Sequence, residues 1–321
     1  MINVMDRTIL VLDGGLSTQL SCHVGTTADG DPLWSARFLR THPDDIVNTH
    51  LDFLRAGSNV IETNTYQASV SGFVKHLGVT PEEGYVLIGH AVRLAKRARD
   101  LYLEEMKPVV PAQMPLIAGS VGPYGAYLHD GSEYKGDYAD TIPAEKMRDW
   151  HTPRIKALVE AGVDILAFET IPCLKEALVL VEMLKDYPDK RAWLSFSCKD
   201  EKSLAHGEDF KAAVKSCWAL NSKQLLAIGV NCCSPAIVAK LFCGINDGRQ
   251  VPIPFITYPN SGEKYNPELG WVDRDKCESL HTFVKEWVDV GVRYIGGCCR
   301  TYAADISSIK NEIQNCLKDK K

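Results

Sequence analysis

The stretch Gly296-Gly297-Cys298-Cys299-Arg300 follows a short apolar run, Val292–Ile295. A second pair of adjacent cysteines, Cys232-Cys233, closes another apolar run at residues 225–230. Apolar runs of about four to eight residues are typical of buried strands. Thiolates at strand ends from distant parts of a chain are the ligands that a soft metal prefers. The two cysteine pairs therefore predict a metal site at one edge of a sheet.

Runs of this kind alternate with helical segments along the whole chain. We place eight strands at residues 8–12, 59–65, 116–120, 164–168, 192–197, 225–230, 255–258 and 294–297. We place the principal helices at residues 43–56, 81–106, 144–161, 172–184, 210–220, 234–242, 273–290 and 303–317. Alternation of this type predicts parallel strands with right-handed crossovers. Eight units predict an α/β fold, a single (β/α)8 TIM barrel over residues 1–321, since no change of composition divides the chain.

Composition excludes several classes of protein. The chain has 321 residues and a net charge of -5, and its Lys and Arg residues are scattered, so we expect no nucleic-acid partner. No apolar run approaches the roughly 20 residues of a membrane span, and the first apolar run is broken by Asp13, unlike a signal peptide. The 11 cysteines are odd in number and irregularly spaced, which argues against a disulfide framework. We therefore expect a cytoplasmic protein with small-molecule substrates and no membrane partner.

Polar residues, glycines and cysteines concentrate at the predicted carboxyl ends of the strands, where barrels carry their chemistry. These ends hold Asp13-Gly14-Gly15, Glu62-Thr63, Gly122-Pro123-Tyr124, Glu169-Thr170, Asn231-Cys232-Cys233, Pro259-Asn260 and Gly297-Cys298-Cys299. Only one strand separates the sixth from the eighth, so a thiolate from one could meet two from the other. Three thiolates with one open position are typical of an active-site zinc, here one ion per chain. Two chance pairs of buried cysteines, or a redox dithiol, are the alternatives.

Within the cysteine pairs the choice of ligands is less direct. Cys232 follows its strand immediately and is preferred over Cys233, which we expect to pack in the core. Cys298 and Cys299 can bind one metal only if the backbone is unusually free, and we expect Gly296 and Gly297 to supply that freedom.

Two acidic positions are typical of an amino-acid site. Asp13-Gly14-Gly15 offers a carboxylate for an ammonium group and amides for a carboxylate, although an ordinary turn would use the same residues. Glu169 interrupts an apolar strand, and a buried carboxylate needs a partner, which is either a substrate ammonium group or a neighbouring Arg or Lys. We expect Glu62 to pair within the barrel, and the long segment 127–140 to be either a lid or an insertion.

Several stretches match a known family. They are Leu12-Asp13-Gly14-Gly15, Pro32-Leu33-Trp34-Ser35-Ala36, Glu62-Thr63-Asn64-Thr65-Tyr66-Gln67-Ala68, Gly119-Ser120-Val121-Gly122-Pro123-Tyr124-Gly125, Phe168-Glu169-Thr170-Ile171-Pro172, Gly229-Val230-Asn231-Cys232-Cys233-Ser234-Pro235, Tyr258-Pro259-Asn260-Ser261-Gly262-Glu263 and Gly296-Gly297-Cys298-Cys299-Arg300. Together they resemble the homocysteine S-methyltransferases, zinc-dependent (β/α)8 barrels that include betaine–homocysteine and selenocysteine methyltransferases. The resemblance covers nearly the whole chain.

The resemblance implies a set of site residues. Zinc would be bound by Cys232, Cys298 and Cys299. Homocysteine would be held at its ammonium group by Asp13 and Glu169. Its carboxylate would lie near Gly14, Gly15 and Thr63. The zinc-activated substrate thiolate would itself be the nucleophile, so no further catalytic residue is implied.

The resemblance also bears on the methyl donor. The chain ends soon after the eighth unit, and the absence of a long extension favours the branch that uses S-methylmethionine or S-adenosylmethionine and a monomeric state. The product would be methionine. A selenocysteine-specific or betaine-dependent methyltransferase is the alternative, and a zinc hydrolase with Glu169 as its base is a more distant one. A sulfonium donor could contact aromatic rings, and the candidates are Trp34, Tyr66, Tyr124 and Tyr258, although for each residue taken alone packing in the core or rim is the commoner role.

Overall fold

Eight parallel strands form the centre of the fold in the computed structural model, which describes residues 9–107, 114–266 and 270–318. With a separate two-stranded hairpin, β8–β9, the strands in chain order are β1 (Leu10–Val11), β2 (Val60–Glu62), β3 (Leu116–Val121), β4 (Ile165–Ile171), β5 (Ala192–Phe196), β6 (Leu225–Asn231), β7 (Phe255–Tyr258), β8 (Lys264–Asn266), β9 (Gly270–Val272) and β10 (Val292–Ile295). The eight pair in the order β1-β10-β7-β6-β5-β4-β3-β2. The barrel prediction is confirmed.

The barrel closes between β1 and β2 without a regular ladder. Asn59 N donates to Val11 O at 2.7 Å, and the Asn59 side chain accepts from Val11 N at 2.9 Å. Further along, Glu62 N donates to Asp13 Oδ2 at 2.8 Å. The carboxylate of Asp13 thus takes the place of a main-chain acceptor at the seam, which ties a predicted site residue into the closure of the barrel.

Helices surround the strands. They are α1 (Leu16–Val24), α2 (Phe38–Thr41), α3 (Pro43–Ala56), α4 (Val70–Leu77), α5 (Pro81–Met106), α6 (Tyr124–Leu128), α7 (Ala144–Glu160), α8 (Leu174–Met183), α9 (Phe210–Asn221), α10 (Val238–Phe242), α11 (Val284–Asp289) and α12 (Ala303–Lys318). The bounds of α3 and α5 agree with the sequence prediction because Pro43 and Pro81 occupy first turns, and Thr80 caps α5 with a capping box. No helix of the described residues is long and apolar enough to cross a membrane.

Some predicted bounds were wrong. The helix expected at 273–290 is only α11, preceded by two 3-10 turns, because Ser279 adopts an extended backbone that interrupts it. The helix expected from residue 234 begins with a 3-10 turn at Pro235–Ile237. The sequence prediction also missed α1, α2, α4 and α6, and the hairpin β8–β9. The first position of the strand predicted at 8–12 lies outside the described residues, which begin at residue 9.

Apolar side chains fill the interior of the barrel below the candidate site, and polar side chains line it at the carboxyl ends of the strands. An inner apolar cluster includes Val60, Ala118 and Trp193. Because successive side chains in a strand point to opposite faces, Glu62 and Ser120 follow Val60 and Ala118 on the inner face. Both Glu62 and Ser120 line a cavity at this end of the barrel. The change from apolar to polar along each strand therefore marks the floor of the candidate site.

Candidate metal centre and active site

Three cysteine side chains meet at the carboxyl end of the barrel. Cys232 follows β6, and Cys298 and Cys299 follow β10. Cys232 Sγ lies 3.6 Å from Cys299 Sγ, and Cys298 Sγ lies 4.0 Å from Cys299 Sγ. All three sulfur atoms lie within 4.8 Å of one another. Thiolates bound to a tetrahedral zinc at about 2.3 Å lie about 3.8 Å apart, so the arrangement fits this metal.

Main-chain geometry brings the thiols together. Cys232 and Arg300 have φ values of 50° and 64°, in the left-handed region. Gly296 and Gly297 do not have positive φ, so the expectation that they supply backbone freedom is wrong. They supply space instead: a Cβ at Gly296 would lie 2.6 Å from Asp13 O, and one at Gly297 would lie 2.4 Å from Thr301 Oγ1. The conformational strain falls on Cys232 and Arg300 rather than on the glycines.

The adjacent Cys233 is not part of this group. It is buried in the main hydrophobic cluster between strands and helices, and burial raises the pKa of its thiol above its usual range. By contrast, hydrogen bonds from the Cys298 and Cys299 thiols hold the pKa of Cys232 well below its usual range. Of two neighbouring residues in sequence, one therefore presents its sulfur to the cavity and the other packs as an apolar side chain.

The floor of the cavity is acidic. Asp13, Glu62 and Glu169 are 3%, 9% and 6% exposed. Ser120 Oγ donates a hydrogen bond to Glu169 Oε1, and Glu62 and Glu169 are hydrogen-bonded through their side chains. Burial is the main cause that raises the pKa of each of the three carboxyl groups, that of Glu169 to about 7. The charges of neighbouring carboxylates raise the pKa values of Asp13 and Glu62 further, and the charge of Cys232 raises that of Glu169, so the group favours a cation.

No Arg or Lys side chain of the described residues forms a hydrogen bond with the three carboxyl groups of this floor. Arg300 and His129 are the basic side chains among those described residues that line the cavity. Arg300 Nε donates to Glu263 Oε2 at 2.6 Å, so the guanidinium group of Arg300 is paired with Glu263. The buried Arg154 donates its N–H groups to main-chain carbonyls, including Tyr66 O at 2.8 Å. Glu169 therefore has no Arg or Lys bonded to it among the described residues, although the charge of the buried Arg154 acts on it without direct contact.

The residues expected near a substrate carboxylate have partners of their own. Gly14, Gly15 and Thr63 all line the cavity. Gly15 N, however, donates to both Thr301 O at 3.1 Å and Thr301 Oγ1 at 3.0 Å. The hydroxyl of Thr63 bonds Thr65 Oγ1 at 2.7 Å and accepts from Ser120 N at 3.0 Å. Gly15 and Thr63 thus shape this wall, and a role in binding a carboxylate stays a prediction for all three.

The cavity is large enough for two small molecules. Its volume is about 620 Å³, within the range of small-molecule sites. Of the predicted aromatic contacts, Trp34, Tyr66 and Tyr258 line it. The rings of Trp34 and Tyr66 meet edge to face with centroids 5.7 Å apart. The fourth candidate, Tyr124, packs instead, because its ring is buried in a separate cluster with Tyr138.

Comparisons with known proteins agree with this site. The sequence profile of the family described as "Homocysteine S-methyltransferase" matches residues 10–313. The chain belongs to the homocysteine S-methyltransferase family. It is similar to the betaine-homocysteine S-methyltransferase of Drosophila melanogaster, with 47% identity over 96% of this chain and 95% of that protein. It is also similar to the homocysteine S-methyltransferase of Escherichia coli, with 40% identity over 95% of both chains.

A solved structure shares both the fold and the family. The metallated form of the homocysteine methyltransferase MmuM from Escherichia coli superposes with a TM-score of 0.82 and 38% identity. The alignment covers 95% of this chain and 96% of that one. The chain is therefore an enzyme of the homocysteine S-methyltransferase class, as its sequence motifs indicate.

The segment 127–140 of the enzyme lies over the cavity. It contains two 3-10 turns, Ser132–Tyr134 and Asp137–Asp140. Tyr134 Oη lies 3.4 Å from Cys232 Sγ, and Glu133 also lines the cavity. Tyr138 is buried, and its hydroxyl donates to Glu176, which anchors the segment to α8. Sequence reasoning missed Glu133 and Tyr134, because no periodic pattern in the segment shows which side chains point inward.

Proposed function

We propose that this enzyme transfers a methyl group from a sulfonium donor, S-methylmethionine or S-adenosylmethionine, to homocysteine, and that it uses a zinc ion bound by Cys232, Cys298 and Cys299. The observation that carries the proposal is the placement of three thiols and three buried carboxyl groups in one cavity. The thiols suit a soft metal, and the carboxyl groups suit the ammonium group of an amino acid. The family supplies the identity of that amino acid.

The metal is proposed from the donor set. Thiolates favour zinc or copper(I) over harder ions, and zinc needs no redox partner. Zinc bound there would hold the homocysteine sulfur as a thiolate, although a free thiol has a pKa of about 8.5. The metallated form of the Escherichia coli enzyme supports a metal in this fold.

The residues of the chain bind and orient the reactants. Asp13 and Glu169 are proposed to bind the ammonium group of homocysteine, so that its sulfur points to the thiol cluster. The sulfur then attacks the donor methyl group: one carbon–sulfur bond forms, another breaks, and its electron pair stays on the donor sulfur. Because opposite charges disappear in this step, water would stabilise the reactants more than the transition state. Coverage by the segment 127–140 therefore favours the reaction.

Direct assay tests the proposed function. Purified enzyme loaded with zinc is incubated with homocysteine and, separately, with S-methylmethionine, S-adenosylmethionine or betaine, and methionine is quantified. We expect methionine with at least one sulfonium donor. If methionine forms only with betaine, the proposed sulfonium donor is wrong. The donor would then be the one named for the Drosophila relative, a betaine-homocysteine S-methyltransferase. The absence of methionine with every donor would refute methyl transfer to homocysteine.

Glu169→Gln should weaken homocysteine binding. Loss of one partner of a buried charge pair costs roughly 2–5 kcal/mol, so we expect the KM for homocysteine to rise at least about 30-fold. The bound metal should stay, since Glu169 is not part of the thiol group. The KM is measured at saturating donor, and metal content is measured in the same preparation.

A substrate analogue provides the matched control. 4-Mercaptobutanoate has the thiol and carboxylate of homocysteine but no ammonium group, so Glu169→Gln should change its KM by less than about threefold. Equal increases for both thiols, or loss of the metal, would show that Glu169 supports the site structurally and does not bind the ammonium group.

A further inference from the structure

One partly buried carboxylate in the cavity has no role in the site described so far. Glu133 lies in the 3-10 turn Ser132–Tyr134 and lines the cavity. Its carboxyl group accepts a hydrogen bond from its own main-chain N–H. The atom Oε2 is buried and has no hydrogen-bond partner among the described residues. Because an unpaired buried polar atom is costly, this oxygen is expected to gain a partner when the cavity is filled.

The carboxyl group of Glu133 lies in the same cavity as Cys232 of the thiol cluster and the aromatic rings of Trp34 and Tyr66. The negative charge of Cys232 raises the pKa of Glu133, and the charge of Glu133 in turn raises the pKa of Tyr66. The next residue, Tyr134, reaches Cys232 Sγ at 3.4 Å. A donor whose methyl group points at the thiol cluster would extend through this space.

Glu133 is held in place by the packing of its segment. A Cβ at Gly125 would lie 2.7 Å from Glu133 N, so the main chain of the turn packs closely on α6. The buried Tyr138 anchors the far end of the same segment through Glu176. Glu133 is therefore a positioned side chain of the cavity wall.

The surroundings of Glu133 favour a cationic partner. Burial is the largest cause that raises its pKa, to about 7, and the charges of Cys232 and Asp130 raise it further. No cationic side chain figures among the principal influences on this group. Arg300, a cation in the described part of the cavity wall, is bound to Glu263. A ligand ammonium group would satisfy the orphaned oxygen and favour the ionised carboxylate.

The cationic sulfur of the donor is a poorer partner than its ammonium group. The sulfonium charge disappears as the methyl group leaves, so a carboxylate beside it would stabilise the reactants more than the transition state. The ammonium charge of an amino-acid donor persists throughout the reaction. A carboxylate that binds the ammonium group therefore contributes to donor affinity without slowing the transfer. Of the two cationic groups of the donor, only the ammonium group has N–H bonds that can donate to Oε2.

We propose that Glu133 binds the α-ammonium group of an amino-acid sulfonium donor. The proposal rests on the proposed methyl transfer and deepens it, because it selects the class of donor. S-Methylmethionine and S-adenosylmethionine carry this ammonium group. Betaine carries no N–H group and leaves Oε2 unpaired.

Glu133→Gln tests the proposal with two sulfonium donors. The zinc-loaded enzyme is assayed at saturating homocysteine with S-methylmethionine and with dimethylsulfoniopropionate, which has a sulfonium and a carboxylate but no ammonium group. The KM for S-methylmethionine should rise about tenfold or more, whereas the KM for dimethylsulfoniopropionate should stay within about twofold. The kcat with S-methylmethionine should be retained, because the interaction is made equally in the ground and transition states.

Asp137→Asn is the matched control. It removes one negative charge from the same segment, but Asp137 is exposed and does not line the cavity. We expect both KM values to stay within about twofold in this variant. Metal content and thermal midpoint are measured for both variants, to show that the site remains intact.

Two results would overturn the proposal. Equal increases in KM for both donors would place Glu133 beside the sulfonium, and unchanged values would leave it without a role in donor binding. These results require an active wild-type enzyme. A wild-type enzyme that forms no methionine from any donor would instead refute the proposed function, so the two failures are distinguishable.

Discussion

Cys298→Ser should abolish both metal binding and methionine formation. A structural zinc site contributes roughly 10–16 kcal/mol from four ligands, so loss of one thiolate should cost about 3–4 kcal/mol, or on the order of 10²–10³ in affinity. Without the metal, the homocysteine thiol stays mostly protonated at neutral pH. We expect the metal content to fall from one per chain to a small fraction, and kcat/KM to fall at least about 10³-fold. Elemental analysis and a methionine assay measure the two effects.

Cys233→Ser is the matched control for this experiment. Cys233 is adjacent to the proposed ligand Cys232, but its sulfur packs in the hydrophobic core. The change should lower the thermal midpoint by a few degrees, because it buries a hydroxyl group, and leave the metal content unchanged. A Cys298→Ser enzyme that kept one metal and full activity would contradict the ligand assignment, as would loss of the metal from Cys233→Ser.

Arg154→Met should destabilise the enzyme more than most single substitutions. Arg154 lies on α7 with 1% exposure, and its guanidinium donates to Ala68 O at 2.7 Å, Gly122 O at 2.8 Å and Tyr66 O at 2.8 Å. Methionine would leave these buried carbonyls without donors. It would also remove the positive charge near the buried Glu176. Removing one partner of a buried charged network costs about 3–5 kcal/mol.

The expected loss is measured as the free energy of unfolding in urea and as the thermal midpoint. Arg148→Met is the control, because Arg148 lies on the same helix but forms an exposed ion pair with Asp186. We expect its free energy of unfolding to change by less than about 1 kcal/mol. A similarly small change for Arg154→Met would show that solvent or side-chain rearrangement replaces the lost donors.

Arg154 also links stability to the site. Its carbonyl partners follow β2 and β3, and one of them belongs to Tyr66, whose ring lines the cavity. The substitution should therefore widen the cavity near Tyr66 even in the molecules that remain folded. No residue near Arg154 in sequence indicates this role, because the carbonyl groups lie 32 to 88 positions away.

Much of the fold could be predicted because its signals are local. Pro43 and Pro81 in first turns, and glycine at the end of α3, define helices without reference to the rest of the chain. The apolar run before Cys232 and the one before Cys298 mark strands in the same way. Errors occurred where local signals are weak, as in the region before α11, in which Ser279 interrupts the expected helix.

In the candidate site, too, some features could be predicted from sequence signals and others could not. Sequence order and strand ends were enough to bring Cys232 together with Cys298 and Cys299, because all parallel strands present their carboxyl ends on one face of a barrel. Sequence order was not enough to show that the Gly15 amide is engaged by Thr301, which lies 286 residues away. Occupied amides and hydroxyl groups are contacts between distant segments, and they decide which predicted groups remain available to a ligand.

The sequence by itself determined the family, the barrel and the three thiols, since each depends on residue type and on order along the chain. Only the tertiary structure showed that Glu62 joins Asp13 and Glu169 in one acidic floor, and that Glu133 points an unpaired oxygen into the same cavity. The physical reason is that burial and charge depend on everything packed around a group. A buried carboxylate indicates a site for a cationic ligand only when the surrounding residues are known to provide no directly paired cation.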